Sequence, residues 1–128
     1  MGKILVVDDD HTVLFMLGEV LRDAGHDVVA SAHAVDSLDL LEGVDAAIVD
    51  CHMPGTGGVA LVSRMHERNA SLPVILLTAQ SSAQAEADAR DAGAFDAMTK
   101  PVDIDELSSV LERAIRESRP PEGGHTPA

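Results

Sequence analysis

A parallel β-sheet with helices on both faces is the fold the sequence predicts, and three observations predict it. Short apolar runs rich in Val and Ile punctuate the chain, each too short for a helix and suited to a strand buried on both faces. Between them, apolar residues recur at helical spacing. The strand-then-helix unit repeats five times within 128 residues, which is room for one domain and not for a second of ordinary size. Strands alternating with helices in this way need crossover connections, and crossovers give parallel pairing.

Ile4–Val7 is the first strand. Thr12–Ala24 follows as a helix with Leu14, Leu17 and Leu21 on one face, and Gly25 stands where a C-terminal cap belongs. Asp27–Ser31 is a weaker strand, and Ala34–Leu41 a short helix with Leu38 and Leu41 inward. Ala46–Val49 is again of the buried type, followed by a loop containing Pro54, Gly55, Gly57 and Gly58. Val59–Glu67 is helical, with Leu61, Val62 and Met65 on its apolar side. Val74–Leu77 is the third strong strand, opened by Pro73, and Ser81–Ala92 is a helix by propensity, ended by Gly93. Ala97–Thr99 is a weak fifth strand before Lys100 and Pro101. Asp103–Ser118 closes the pattern, with Asp103 as cap, Glu106 at capping-box spacing, and Ile104, Leu107, Leu111 and Ile115 as its stripe. Residues 1–118 therefore form the expected domain, and residues 119–128, rich in Pro and Gly, an expected disordered tail.

Composition narrows the function classes. Nine Lys and Arg against 22 Asp and Glu give a net charge of −13, which repels phosphate backbones and anionic lipid. Two Phe and no Tyr or Trp leave no stacking platform for bases. Direct nucleic-acid and membrane partners are thus not expected. A single cysteine, Cys51, excludes an internal disulfide and suits a reducing compartment. No apolar run approaches 18 residues and no charged-then-apolar leader opens the chain, so the expectation is a soluble, unprocessed, cytoplasmic protein.

The chemistry lies where strands end. Asp8, Asp9 and Asp10 follow the first strand, Asp50 the third and Thr78 the fourth. In an open α/β sheet the ligand site lies at the C-terminal strand ends, where the strand order switches direction, and the first and third strands of a five-strand sheet flank that point. Asp8, Asp9 and Asp50 then converge on one crevice. Crowded carboxylates repel one another, and a hard divalent cation such as Mg²⁺ relieves the repulsion with only one or two direct carboxylate ligands. Asp10 reads as a plain helix cap. Lys100, one of only two lysines, ends the fifth strand at the same edge, where it can neutralise a carboxylate or contact a phosphoryl oxygen.

Four segments in this order resemble the receiver domain of two-component response regulators: Lys3-Ile-Leu-Val-Val-Asp-Asp-Asp10, Ile48-Val-Asp-Cys-His-Met-Pro-Gly-Thr-Gly-Gly58, Val74-Ile-Leu-Leu-Thr-Ala79, and Ala92-Gly-Ala94 with Thr99-Lys-Pro101. The likeness runs from residue 3 to about residue 117. It implies a flavodoxin-like (βα)5 sheet of order 2-1-3-4-5. It also implies that Asp50 is the phosphoacceptor, Asp9 a direct Mg²⁺ ligand and Asp8 a ligand acting largely through water. The backbone carbonyl of His52 would be the third protein ligand. Thr78 matches the hydroxyl that bonds the phosphoryl group, and Lys100 the lysine that pairs with acceptor and phosphoryl. Pro101 matches a proline often preceded by a cis peptide bond. The implied partners are a sensor histidine kinase or histidine phosphotransfer protein and a downstream protein target. One departure stands out: receivers usually carry Tyr or Phe three residues before the lysine, and here that position is Ala97. Phe95, two residues earlier, is expected on the same strand face.

Other readings fit these residues less well. Cys51 and His52 are sequence neighbours and lack zinc-site spacing. The glycines at 55, 57 and 58 serve a turn, since no Gly-Lys-Ser/Thr follows them. A flavodoxin-like cofactor binder would want hydroxyls and glycines after its first strand to cradle a phosphate, which three aspartates repel, and no aromatic stands nearby to sandwich a flavin. An aspartyl phosphohydrolase would want a second acid close to Asp50, where Cys51 and His52 stand. The alternative within the resemblance is a pseudo-receiver, an interaction module that is never phosphorylated; the full set of Asp8, Asp9, Asp50, Thr78 and Lys100 argues against it. No second domain pattern follows Ser118, so the expectation is a phosphoacceptor, not an enzyme acting on other substrates, that signals through protein contacts.

Overall fold

The computed structural model describes residues 2–53, 55, 57–79 and 83–118. Its elements are β1 (Lys3–Val7), α1 (His11–Asp23), β2 (Asp27–Ser31), α2 (Ala34–Ser37), β3 (Ala46–Asp50), α3 (Gly58–Arg68), β4 (Val74–Thr78), α4 (Ala83–Ala92), β5 (Asp96–Thr99) and α5 (Ile104–Ser118). The five strands form one parallel sheet in the order β2-β1-β3-β4-β5. Fold class and strand order are those the sequence predicts. The tail over 119–128, and residues 81 and 82 of the expected fourth helix, lie outside the described residues.

Strand alternation sorts the core into two layers. Leu5, Val7, Ala47, Val49 and Leu76 face one side, where Leu61, Val62 and Met65 of α3 cover them. Ile4, Val6, Ile48, Ile75 and Leu77 face the other, under Leu17 and Leu21 of α1 and Leu107 and Leu111 of α5. Both faces of the sheet are therefore dry, which is why the strands read as continuous apolar runs instead of alternating ones.

The helix ends follow from local chemistry. Asp10 accepts from the backbone N–H groups of Thr12 and Val13 at 2.9 and 3.4 Å, so it is the cap the sequence suggests. At the other end of α1, Gly25 takes φ +96°; its N–H donates to the Arg22 carbonyl and that of His26 to the Leu21 carbonyl. That pair of bonds is a Schellman motif, and its left-handed residue needs glycine. Asp103 caps α5 by accepting from the Glu106 N–H at 3.0 Å.

The second helix is shorter than expected. Instead of running to Leu41, α2 stops at Ser37 and the chain tightens into a 3₁₀ turn over Leu38–Leu40. The buried Ser37 hydroxyl donates to the Ala34 carbonyl at 2.6 Å, a local bond that competes with regular helix. Asp36 and Asp39 are weak helix formers, while Leu38 and Leu41 are still turned inward, as predicted. A second correction concerns Phe95. It precedes β5, so strand alternation does not extend to it, and it packs on the α1/α5 layer while Ala97 packs on the α3/α4 layer.

Candidate functional site

Register brings the acids together. Val7 pairs with Val49, so the next residues, Asp8 and Asp50, stand side by side at the C-terminal edge of the two central strands. Thr78 pairs with Thr99, so Lys100 follows at the same edge, where its backbone N–H donates to the Thr78 carbonyl at 2.8 Å. The Lys100–Pro101 peptide is cis. Asp8 and Asp50 are buried, at 0% and 5% exposure, and Asp9 is exposed.

Each buried carboxylate is fixed by a backbone donor on one oxygen and by Lys100 on the other. Asp8 Oδ1 accepts from the Asp10 N–H at 2.9 Å, and Asp50 Oδ1 from the His52 N–H at 3.1 Å. Lys100 Nζ lies 3.0 Å from Asp8 Oδ2 and 3.5 Å from Asp50 Oδ2. Burial alone lowers the proton affinity of the lysine. The hydrogen bond to Asp8 and the charges of Asp8 and Asp50 outweigh it and hold the ammonium above its ordinary range. Burial, then the charges of Asp50 and Asp88, push the Cys51 thiol up. Cys51 therefore behaves as a protonated neighbour of the site, not as a ready nucleophile.

One oxygen from each of Asp8, Asp9 and Asp50 can lie within 4.8 Å of the other two; among the described residues this is the one group of three metal-type side chains that comes together. Three carboxylates against one ammonium leave an excess of two negative charges. Hard oxygen donors with that excess fit a hard divalent cation, and neither Cys51 nor any histidine joins them. Of the residues read from the sequence, Asp8, Asp9, Asp50 and Lys100 meet in the crevice. Thr78 is buried at the end of β4 beside it. The His52 side chain points to solvent while its N–H serves Asp50.

One contributor was missed as more than a turn residue. Gly58 opens α3, donates its N–H to the Cys51 carbonyl at 3.0 Å, and lies so close to β3 that an added Cβ would come within 2.5 Å of the Asp50 carbonyl oxygen and 2.7 Å of Cys51 Cα. Glycine is thus what lets α3 abut the strand end that carries Asp50. No spacing rule marks such a close approach; only the packed backbones reveal it.

Comparison with known proteins points one way. The family described as "Response regulator receiver domain" matches residues 4–112. The DNA-binding transcriptional regulator NtrC of Escherichia coli (strain K12) is 38% identical over 116 residues, 89% of this chain and 25% of NtrC. Response regulator MprA of Mycobacterium sp. (strain KMS) is 34% identical over 128 residues, 98% of this chain and 56% of MprA. The chain thus spans a quarter to about half the length of these relatives. Among solved structures, a response regulator receiver domain protein from Clostridium thermocellum superposes with a TM-score of 0.86 at 27% identity, covering 91% of this chain and 96% of that one. A CheY-like receiver domain protein from Methanospirillum hungatei does so with a TM-score of 0.85 at 26% identity, covering 92% and 96%.

Proposed function

This chain belongs to the response regulator receiver domain family, and from that membership and the crevice geometry we propose that Asp50 accepts a phosphoryl group from a phosphohistidine in a Mg²⁺-dependent transfer. Receivers are signalling domains of two-component systems, not enzymes acting on a separate substrate. The donor is a sensor histidine kinase or histidine phosphotransfer protein, and the output is contact with a downstream protein. The observation that carries the reading is the pair of buried carboxylates, Asp8 and Asp50, bridged by one ammonium at 3.0 and 3.5 Å.

The chemistry follows from those groups. A carboxylate oxygen of Asp50 attacks phosphorus as the P–N bond to the donor imidazole breaks, and the electron pair leaves with the imidazole nitrogen. Lys100 faces the oxygen on which charge has to be balanced, and its raised proton affinity keeps it cationic. The Thr78 hydroxyl is read as the donor to a phosphoryl oxygen. Asp9, with Asp8 and Asp50 and the His52 carbonyl, would hold Mg²⁺, which when bound supplies charge neutralisation and orientation of the transferring group. Ala79 is small and exposed directly after Thr78, which leaves the donor a path.

The receiver is taken as residues 1–118 and the compartment as the cytoplasm; no helix among the described residues is long and apolar enough to cross a membrane. Direct nucleic-acid contact is not assigned to this domain, whose net charge of −13 opposes it. NtrC is named DNA-binding, but only a quarter of its length is matched by this chain. The test is incubation with acetyl phosphate and Mg²⁺, read by intact mass. An acid-labile and base-labile phosphoryl adduct, as expected of an acyl phosphate, should form on the wild type and be absent with EDTA and in Asp50→Asn. An undiminished adduct in Asp50→Asn overturns the site, and no adduct under any condition favours the non-phosphorylated module.

A further inference from the structure

A hollow of about 380 Å³ opens beside the acid crevice, between the ends of β3 and β4 and one side of α4. Cys51, directly after Asp50, and Thr78, at the end of the neighbouring strand, line the side toward the acceptor. Val59, Ala79 and Ala85 give it apolar walls. Asp88, on α4, is the one carboxylate among the described residues that line it. Its side chain is exposed, and the Gln84 side-chain amide donates to its Oδ1 at 2.8 Å. The charges of Asp50 and Asp88 both reach the Cys51 thiol, so the two acids face a common neighbour. The acceptor therefore works in the field of a fourth carboxylate, carried on a different element from the three of the crevice.

Phosphoryl donors differ in what they leave behind. When Asp50 attacks phosphorus, the bond to the leaving atom breaks and its electron pair stays with the leaving group. A phosphohistidine whose second ring nitrogen is protonated releases neutral imidazole, and phosphoramidate protonated on nitrogen releases neutral ammonia. Acetyl phosphate releases acetate, an anion, and carries more negative charge from the start. A nearby carboxylate opposes negative charge that gathers on the leaving group and favours the positive charge that a protonated nitrogen brings into the reaction. A side chain acting in this way changes the ratio of two donors, not only their common rate.

We propose that Asp88 is a specificity-determining residue of the phosphoryl transfer: from the α4 wall of the hollow its carboxylate favours donors with a nitrogen leaving group over acyl phosphates. The inference rests on the phosphoacceptor reading of Asp50 and adds to it a preference among donors. Exposure keeps the effect modest, because water and salt screen a charge at the surface.

The experiment follows adduct formation on the whole chain by intact mass, with phosphoramidate and with acetyl phosphate, at one pH, one Mg²⁺ concentration and low ionic strength. Asp88→Asn keeps an oxygen for Gln84 to bond and removes only the charge. It should raise the acetyl phosphate rate relative to the phosphoramidate rate by about two- to fivefold. That shift should shrink as salt rises through the screening range. Asp88→Lys should move the ratio further in the same direction. Asp91→Asn removes an exposed acid of α4 that does not line the hollow, and should leave the ratio where it is in the wild type. The proposal is overturned if both Asp88 variants keep the wild-type ratio, including the case in which both rates fall together. It is equally overturned if Asp91→Asn shifts the ratio as much, since net charge and not position would then decide. Adduct formation with an unmoved ratio leaves Asp50 standing as the acceptor, whereas no adduct from either donor overturns the acceptor reading and this one with it.

Discussion

The two flanks of the sheet are held by different means. On the α1/α5 side, Leu17, Leu21, Leu107 and Leu111 are all fully buried, and each contributes about 1.5–3 kcal/mol by leaving water. At the far corner, α4 has one buried residue, Ala89, and none of its side chains that reach the core is larger than alanine. Alanine is the best helix former, so α4 is a good helix that is weakly glued. The acid crevice lies between these regimes. Asp50 ends β3 and Asp8 directly follows β1, so strand register sets their positions and the geometry of the crevice does not depend on how well α4 is anchored. The contrast separates a register-fixed acid crevice from a soft flank, and soft elements are where population shifts occur at small cost.

Three measurements would break or sharpen that contrast. The largest effect is expected from Leu111→Ala, which should cost about 2–5 kcal/mol in urea unfolding, because the buried site cannot collapse fully. A cost below 1 kcal/mol would remove the claim that this flank carries the stability. Next is Lys100→Ala, which strips the shared ammonium from Asp8 and Asp50. The expected loss is about 1–3 kcal/mol, less than for a fully buried pair because the lysine side chain keeps 28% exposure. Mg²⁺ should raise the melting temperature of this variant more than that of the wild type, and an equal rise would show that the acids do not share the cation. The smallest effect is expected from Ala87→Gly in α4, about 1 kcal/mol or less by helix propensity. Hydrogen exchange should show that loss in α4 alone, on top of protection already at least tenfold lower in Gln84–Ala92 than in Leu14–Leu21. Equal protection of the two helices would show that α4 is anchored by something other than its side chains.

Much of this architecture was legible before any coordinates. Val and Ile runs such as Val74–Leu77 fixed the strands because both sheet faces are dry, and the polar residues directly after them located the crevice. What stayed hidden depended on tertiary detail. The 3₁₀ turn after Ser37 goes with a buried hydroxyl bond to the Ala34 carbonyl that no periodicity encodes. Phe95 lies just before β5, so alternation counted back from Ala97 assigned it the wrong layer. The demand for glycine at 58 arises from the approach of α3 to the Asp50 backbone, a distance set by two elements at once. For Lys100 the resemblance implied the acceptor Asp50 as partner, and the ammonium lies within reach of it at 3.5 Å but closer to Asp8, at 3.0 Å.

The bond between Lys100 and Asp8 joins residues 92 positions apart. During synthesis the three aspartates all leave the ribosome before the lysine that balances them. The 50-residue interval between Asp50 and Lys100 corresponds to roughly 3–10 s at the ~5–20 residues per second of translation. Through that interval β5 does not yet exist, and the crevice is a trio of like charges with no internal counter-ion. Any chain truncated before β5 keeps that imbalance permanently. The internal counter-charge of the crevice is thus completed only when the last strand has docked, which ties the charge balance of Asp8 and Asp50 to the finished fold.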